Sequence, residues 1–225
     1  MKSVLAPTKV LLVLVATCLS TQSFASIISG TANNTGAMFI NQSGTPPATV
    51  GNNNFQTPDL YAFDELQNFE LVSDLTVNLL PSSAAGQGTA NAGTIAMGTS
   101  ISSHYVFFDP RDSTSQIGTV LFDAPILGII TLTAQLSASD LLGNPAVTYL
   151  NPGLRGLESN DAASVTSLMN PNELTVDWRA STPGDYIRVI TAASPVPVPA
   201  AFWLFGSALL ATVGWSRRKG SSASA

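Results

Sequence analysis

One histidine, one cysteine and fourteen carboxylates are the side chains of this 225-residue chain that could do acid–base, nucleophilic or metal chemistry. A serine hydrolase would need His104 as its base, and no G-x-S-x-G segment exists to present a nucleophile. His104 adjoins Tyr105 in a segment that reads as a strand, so a structural or surface histidine is expected. Zinc needs three or four His, Cys or carboxylate ligands, which one His and one Cys do not favour. No P-loop occurs, and Gly86-Gln87-Gly88 lacks the third glycine and the strand-to-helix setting of a dinucleotide fingerprint.

Carboxylates are harder to set aside, because a glycosidase needs only two of them across a cleft. Asp64-Glu65, Asp109-Pro110-Arg111-Asp112 and the pair Glu158 and Asp161 are the candidates, and each reads as a solvated loop. The same loops could hold Ca²⁺ through carboxylate and carbonyl oxygens, although no D-x-D-x-D-G spacing is present. The expectation is a protein without catalytic residues, metal ligands or cofactor, calcium being the one ion left open.

The elements that would position these groups begin after an export signal. Lys2 and Lys9 are followed by an apolar run from Val10 to Leu19, and Ser23-Phe24-Ala25 has the small, any, small pattern of a signal-peptidase site. Residues 1–25 are therefore expected to be removed between Ala25 and Ser26. A lipoprotein reading at Cys18 is the weaker alternative, since Thr17 is bulkier than the residue usual before a lipidated cysteine. Removal of 1–25 takes away the only cysteine, so no disulfide supports the rest, and roughly 170 residues must be held by burial.

All fourteen carboxylates lie between Ser26 and Pro199, against Arg111, Arg155, Arg179 and Arg188, a net charge of −10 for the exported part. Such a surface makes nucleic acid a poor partner and suits a protein that stays soluble outside the cell.

Residues 26–58 read as an irregular leader rich in Asn, Gly, Thr and Pro, with room for a first strand or two. Residues 59–193 read as strands. Leu75, Val77 and Leu79 alternate with Asp74, Thr76 and Asn78, and Leu174, Val176 and Trp178 alternate with Glu173, Thr175, Asp177 and Arg179. Ser100 to Phe108, Gly118 to Asp123 and Tyr186 to Thr191 are further strands. Ile126 to Ala134 is apolar on both faces and should lie between two layers, and Ser139 to Gly143 reads as one helical turn. Many short strands with Gly, Pro, Asn and Asp turns predict an all-β domain, a β-sandwich or jelly-roll-like fold.

Residues 194–199 form a Pro-rich spacer, and residues 200–219 a single C-terminal transmembrane helix with a basic end. The uncharged stretch Ala200 to Trp215 would span about 24 Å as a helix, a little short of the roughly 30 Å hydrocarbon core. Arg217, Arg218 and Lys219 would stay cytoplasmic, leaving the body on the far side.

Val196-Pro197-Val198-Pro199, the apolar span containing Trp203-Leu204-Phe205-Gly206-Ser207, and Arg217-Arg218-Lys219, in that order, resemble the PEP-CTERM sorting signal of Gram-negative bacteria. The resemblance implies recognition by an exosortase that cuts near Val196, Pro197 and Pro199. It also implies transient anchoring in the inner membrane with the body periplasmic, then release to the cell surface or outside, in an exopolysaccharide or biofilm setting. Val198 stands where many members carry Glu. Ser102 to Pro110 and Val147 to Glu158 are similar to segments of uncharacterised PEP-CTERM proteins, which brings no activity. The alternative is a lectin-like module binding exopolysaccharide, calcium-assisted or not, with Tyr61, Tyr105 or Tyr149 as stacking platform, since the alternation turns Trp178 inward. A carbohydrate-active enzyme is the third reading.

Overall fold

The computed structural model describes residues 26–81, 91–150, 153–167 and 170–194. Among them the chain forms, in order, β1 (Ile27–Ala32), β2 (Phe39–Asn41), β3 (Thr49–Val50), β4 (Leu60–Asp64), β5 (Phe69–Glu70), β6 (Leu75–Val77) and β7 (Gly93–Ile95). The long strands β8 (Ser100–Phe108) and β9 (Thr114–Phe122) follow, then β10 (Ile126–Ile130), α1 (Thr133–Ala138) and a 3₁₀ turn (Asp140–Leu142). The described part closes with β11 (Thr148–Tyr149), β12 (Ala162–Ser167), β13 (Asn170–Ala180) and β14 (Asp185–Ala192). The all-β expectation holds for this body.

Two sheets carry the architecture. The first is antiparallel, in the order β1-β9-β13-β12. The second has the order β10-β14-β8-β4-β2, with β5 also paired to β8 and only β2 parallel to its neighbour. Period-two alternation explains the first sheet. Leu174, Val176, Trp178 and Ala180 of β13 and Val120 and Phe122 of β9 are buried, while Asp177, Arg179, Ser115 and Ile117 are exposed. Its outer face carries a row of hydroxyls, Thr31 opposite Thr119, Thr119 opposite Thr175, and Thr175 opposite Ser164.

The second sheet is buried on both faces, so its strands read as continuous apolar runs rather than alternations. Leu60, Ala62, Val106, Phe108, Ile187 and Val189 share one core with the inner face of the first sheet. Tyr61, Phe63, Tyr105, Phe107, Tyr186 and Ile190 form a second core, covered by Leu136 of α1, Leu142, Val147 and Val50. Full burial of each such aliphatic or aromatic side chain is worth about 1.5–3 kcal/mol, which is what replaces the absent disulfides.

Close approach of β1 to its neighbours depends on small residues. A Cβ on Gly118 would lie 2.4 Å from the Thr31 carbonyl oxygen and 2.7 Å from Leu60 Cδ2, and one on Gly30 2.6 Å from the Thr119 carbonyl oxygen.

Several expectations change against this frame. Ile27–Ala32, in the leader where room was left for a first strand or two, is an edge strand of the first sheet. Gly118 to Asp123 is only the second half of the longer β9. The run from Ile126 does lie between two cores, but β10 is the last strand in its sheet's order, and Leu79 bridges to Ile129. Asn78, placed on the solvent side by alternation, is 1 % exposed because its Oδ1 accepts from the Thr131 and Leu132 amides. The helical turn expected from Ser139 is there as the 3₁₀ turn, preceded by α1, which its sequence did not announce.

Candidate functional site

The lone histidine sits in a carboxylate–imidazole–hydroxyl row. Asp64, His104 and Thr191 stand on β4, β8 and β14, three neighbouring strands of the second sheet. His104 Nδ1 is 2.7 Å from Asp64 Oδ1, and Nε2 is 3.0 Å from Thr191 Oγ1. These distances suit an activated hydroxyl nucleophile, and no sequence motif announced them. Access decides the matter: His104 and Thr191 are both 0 % exposed, and the imidazole packs 4.7 Å from the Phe122 ring. At this depth the row ties three neighbouring strands together through the core.

Glu65, expected with Asp64 on a solvated loop, is buried beneath the second core. Arg188 donates from Nε to Oε2 at 2.6 Å and from Nη2 to Oε1 at 2.8 Å. Ser103 Oγ donates to Oε2, and the Tyr149 hydroxyl donates to Oε1. The remaining Arg188 nitrogen donates to the Leu136 carbonyl and to Ser139 Oγ. Beside it, Arg155 grips Asp140 with two nitrogens at 3.0 and 2.8 Å. Burial works against the Arg188 charge, but Glu65 outweighs it and holds the guanidinium above its ordinary pKa. A buried ion pair of this kind survives only when its lone pairs and protons are satisfied; here Ser103 and Tyr149 meet the Glu65 oxygens, and Leu136 of α1 and Ser139 before the 3₁₀ turn meet the Arg188 protons. Two of the four body arginines are thereby used structurally.

A third polar group lies at the end of the body where β9 begins. Asp161 Oδ1 accepts from the Arg179 amide at 2.7 Å and Oδ2 from the Glu158 amide at 2.9 Å. Burial, then Asp161 and Glu158, push the Asp185 carboxyl up to about 8. Asp109, also expected on a solvated loop, is buried; its Oδ2 accepts from the Phe55 amide, and its carbonyl accepts from Thr57. Burial raises its pKa as well. Arg111, Asp112 and Glu158 are exposed as anticipated, whereas Asp161 is buried. Among the described residues no group of three or more His, Cys, Asp or Glu is arranged to hold a metal ion.

Asp109 thus joins two loops, and between them lies an open depression of about 330 Å³. Gln56, Thr57 and Pro58 line one side, Pro110, Arg111 and Asp112 the other, with Thr114 at the start of β9. Gln56 holds a positive φ of 53°, an uncommon conformation for a residue with a side chain. The volume is at the low end of small-ligand sites, and the lining is mainly apolar in surface but carries hydroxyl, amide, guanidinium and carboxylate groups.

The other end of β9 gathers the two ends of the described chain. Asp123 Oδ1 accepts from the Ser26 amide nitrogen at 2.8 Å, and Oδ2 accepts from Ser194 Oγ at 3.1 Å. Asp64 Oδ1 accepts from the Ile27 amide at 3.3 Å. From Thr114 to Asp123 the strand covers about 30 Å at its usual rise, so depression and chain ends lie at opposite poles of the body.

Of the processing residues named from sequence, Ser26 is therefore placed beside Asp123. Ala25, Val196, Pro197, Pro199, Arg217, Arg218 and Lys219 lie outside the described residues, as do the signal segment and the span Ala200 to Trp215. Among the described residues no helix is long and apolar enough to cross a membrane. Trp178 is buried as its alternation required. The three tyrosines held open as stacking platforms belong to the second core instead. Tyr61 stacks on Phe107 with centroids 5.0 Å apart, Tyr105 is 0 % exposed, and Tyr149 packs edge-on against Tyr105 beside the Arg155 and Arg188 guanidiniums. Sequence reading missed Asp123, whose partners stand 97 and 71 residues away and leave no local pattern.

Comparison with known proteins adds one match. Residues 195–219 fit the family model of the PEP-CTERM protein-sorting motif, beginning one residue after Ser194. No curated protein and no solved structure matches the chain.

Proposed function

We propose that this chain, a β-rich body followed by a PEP-CTERM sorting motif, is a non-enzymatic surface or extracellular-matrix protein working in an exopolysaccharide or biofilm setting. The motif at residues 195–219 carries the reading, because it marks an exported protein that an exosortase, itself a membrane protein, processes. In this reading the signal segment is removed at Ala25–Ser26, the tail holds the body outside the inner membrane, and cleavage near the prolines passes the body to the surface or the medium.

The polar chemistry of the body supports a structural role. The one imidazole and two of the four arginines are committed to buried networks that join strands and layers. The test is localisation of the full chain against a form lacking residues 195–225 in a host that makes an exosortase. The full chain is expected at the surface or in the medium and the truncated form in the periplasm; identical fractionation of the two overturns the reading.

A second reading, a glycan-binding module, draws its support from the depression around Thr57 and Arg111, at the pole away from the chain ends. Thr57, Arg111 and Asp112 in its lining supply the donors and acceptors that sugar hydroxyls need, in place of aromatic stacking. Titration of the host's own exopolysaccharide, with and without chelator, tests it. Binding that weakens in Arg111→Ala supports the reading, and a flat titration removes it.

A further inference from the structure

We infer that Asp123 is a binding site for the α-ammonium that export creates at Ser26, so that removal of the signal segment itself tightens the body. In the unprocessed chain the Ser26 nitrogen is an amide donating to Asp123 Oδ1 at 2.8 Å. Peptide hydrolysis between Ala25 and Ser26 leaves a carboxylate on Ala25 and an amine on Ser26, which takes up a proton at neutral pH. The same atom then carries a full positive charge at hydrogen-bond distance from a carboxylate, and a neutral contact becomes an ion pair.

The surroundings favour that charge. Asp64 lies one residue along, its Oδ1 3.3 Å from the Ile27 nitrogen and 2.7 Å from His104 Nδ1. Asp123, Asp64 and His104 are the titratable groups placed against the first two residues of the processed chain. The Asp123 backbone also donates to the Ser26 carbonyl at 3.1 Å, which fixes the seat of the new terminus from both sides.

The other carboxylate oxygen holds Ser194 at 3.1 Å, and residue 195 opens the sorting motif. One side chain therefore clamps both ends that processing leaves. The inference rests on the export reading, and composition offers a clean way to test it. Residues 26–194 contain no lysine, so the new α-amine is the only primary amine of the body, with Lys219 in the tail as the next.

The processed protein is purified from the envelope, its N-terminus read by mass spectrometry, and its amines acetylated under native conditions. Acetylation keeps one N–H for Asp123 but removes the charge. The expected result is a fall of about 1–3 °C in the unfolding midpoint of the acetylated protein, the shift for losing one exposed ion pair in a body of this size, and no further fall on acetylation of Asp123→Asn. Equal midpoints before and after acetylation, with Ser26 as the N-terminus, overturn the clamp alone. An N-terminus other than Ser26 overturns the cleavage assignment and the clamp with it. Should Asp123→Asn not fold, the comparison within the wild-type protein decides.

Discussion

Arg188 and Glu65 face each other across the floor of the second core, joined by two parallel hydrogen bonds of 2.6 and 2.8 Å, with both side chains at 0 % exposure. They stand 123 residues apart in sequence, on β14 and just past the end of β4. Their bond offsets the cost of burying a full positive and a full negative charge in a sheet covered on both faces.

Removing one partner leaves the other buried and alone. Glu65→Gln and Arg188→Met are each expected to destabilise the body by about 3–5 kcal/mol in denaturant unfolding. The double replacement by apolar residues of similar volume is expected to recover most of that loss. Two single variants of wild-type stability would show that the pair does not bear on the fold.

Asp185 gives the stability a pH dependence of known sign. Its carboxyl is raised to about 8 in the folded protein, first by burial and then by Asp161 and Glu158. The fold therefore keeps a proton there that the unfolded chain releases above its ordinary value of 3.8. Stability from this group is complete below that value, declines as pH rises through the interval up to about 8, and is gone above it. Unfolding free energies across that interval should fall with pH in the wild type and fall less in Asp185→Asn. An unchanged slope in the variant would assign the dependence elsewhere.

Trp178 is the only tryptophan of the body and is 1 % exposed between the two sheets. The released body should show blue-shifted emission that acrylamide barely quenches, and Trp178→Ala should cost about 3–5 kcal/mol. Emission typical of a tryptophan in water would contradict the inward register of β13.

Gly118→Ala tests the seating of β1. Its methyl group would sit 2.4 Å from the Thr31 carbonyl oxygen, a backbone atom that moves only with the strand. A loss of about 1–3 kcal/mol is expected, and faster hydrogen exchange confined to β1 should accompany it. A neutral effect would mean that β1 shifts freely against β9.

What the sequence disclosed follows the range of its signals. Alternation is local, so β13 and the inward turn of Trp178 were legible, as was the span of β8. Burial on both faces hides alternation, and β10 was accordingly recognised as covered but not as the end of its sheet. Polar residues at inward positions misled the reading in the same way each time. Glu65, Asp109, Asp161 and Asn78 look solvated until partners far along the chain are seen, Arg188 for the first and the Phe55, Arg179 and Thr131 amides for the others. The depression and the Asp123 clamp depend on loops brought together by the fold and carry no motif. The sorting segment was legible outright, because a proline-rich stretch, an apolar run and a basic end are recognised by composition and order alone.

The most direct test is the mass of the protein recovered from its own envelope or culture medium. The account predicts a chain that begins at Ser26 and ends close to the Pro195 to Pro199 segment. Recovery of the intact 225-residue chain, water-soluble and in the cytosol, would contradict it.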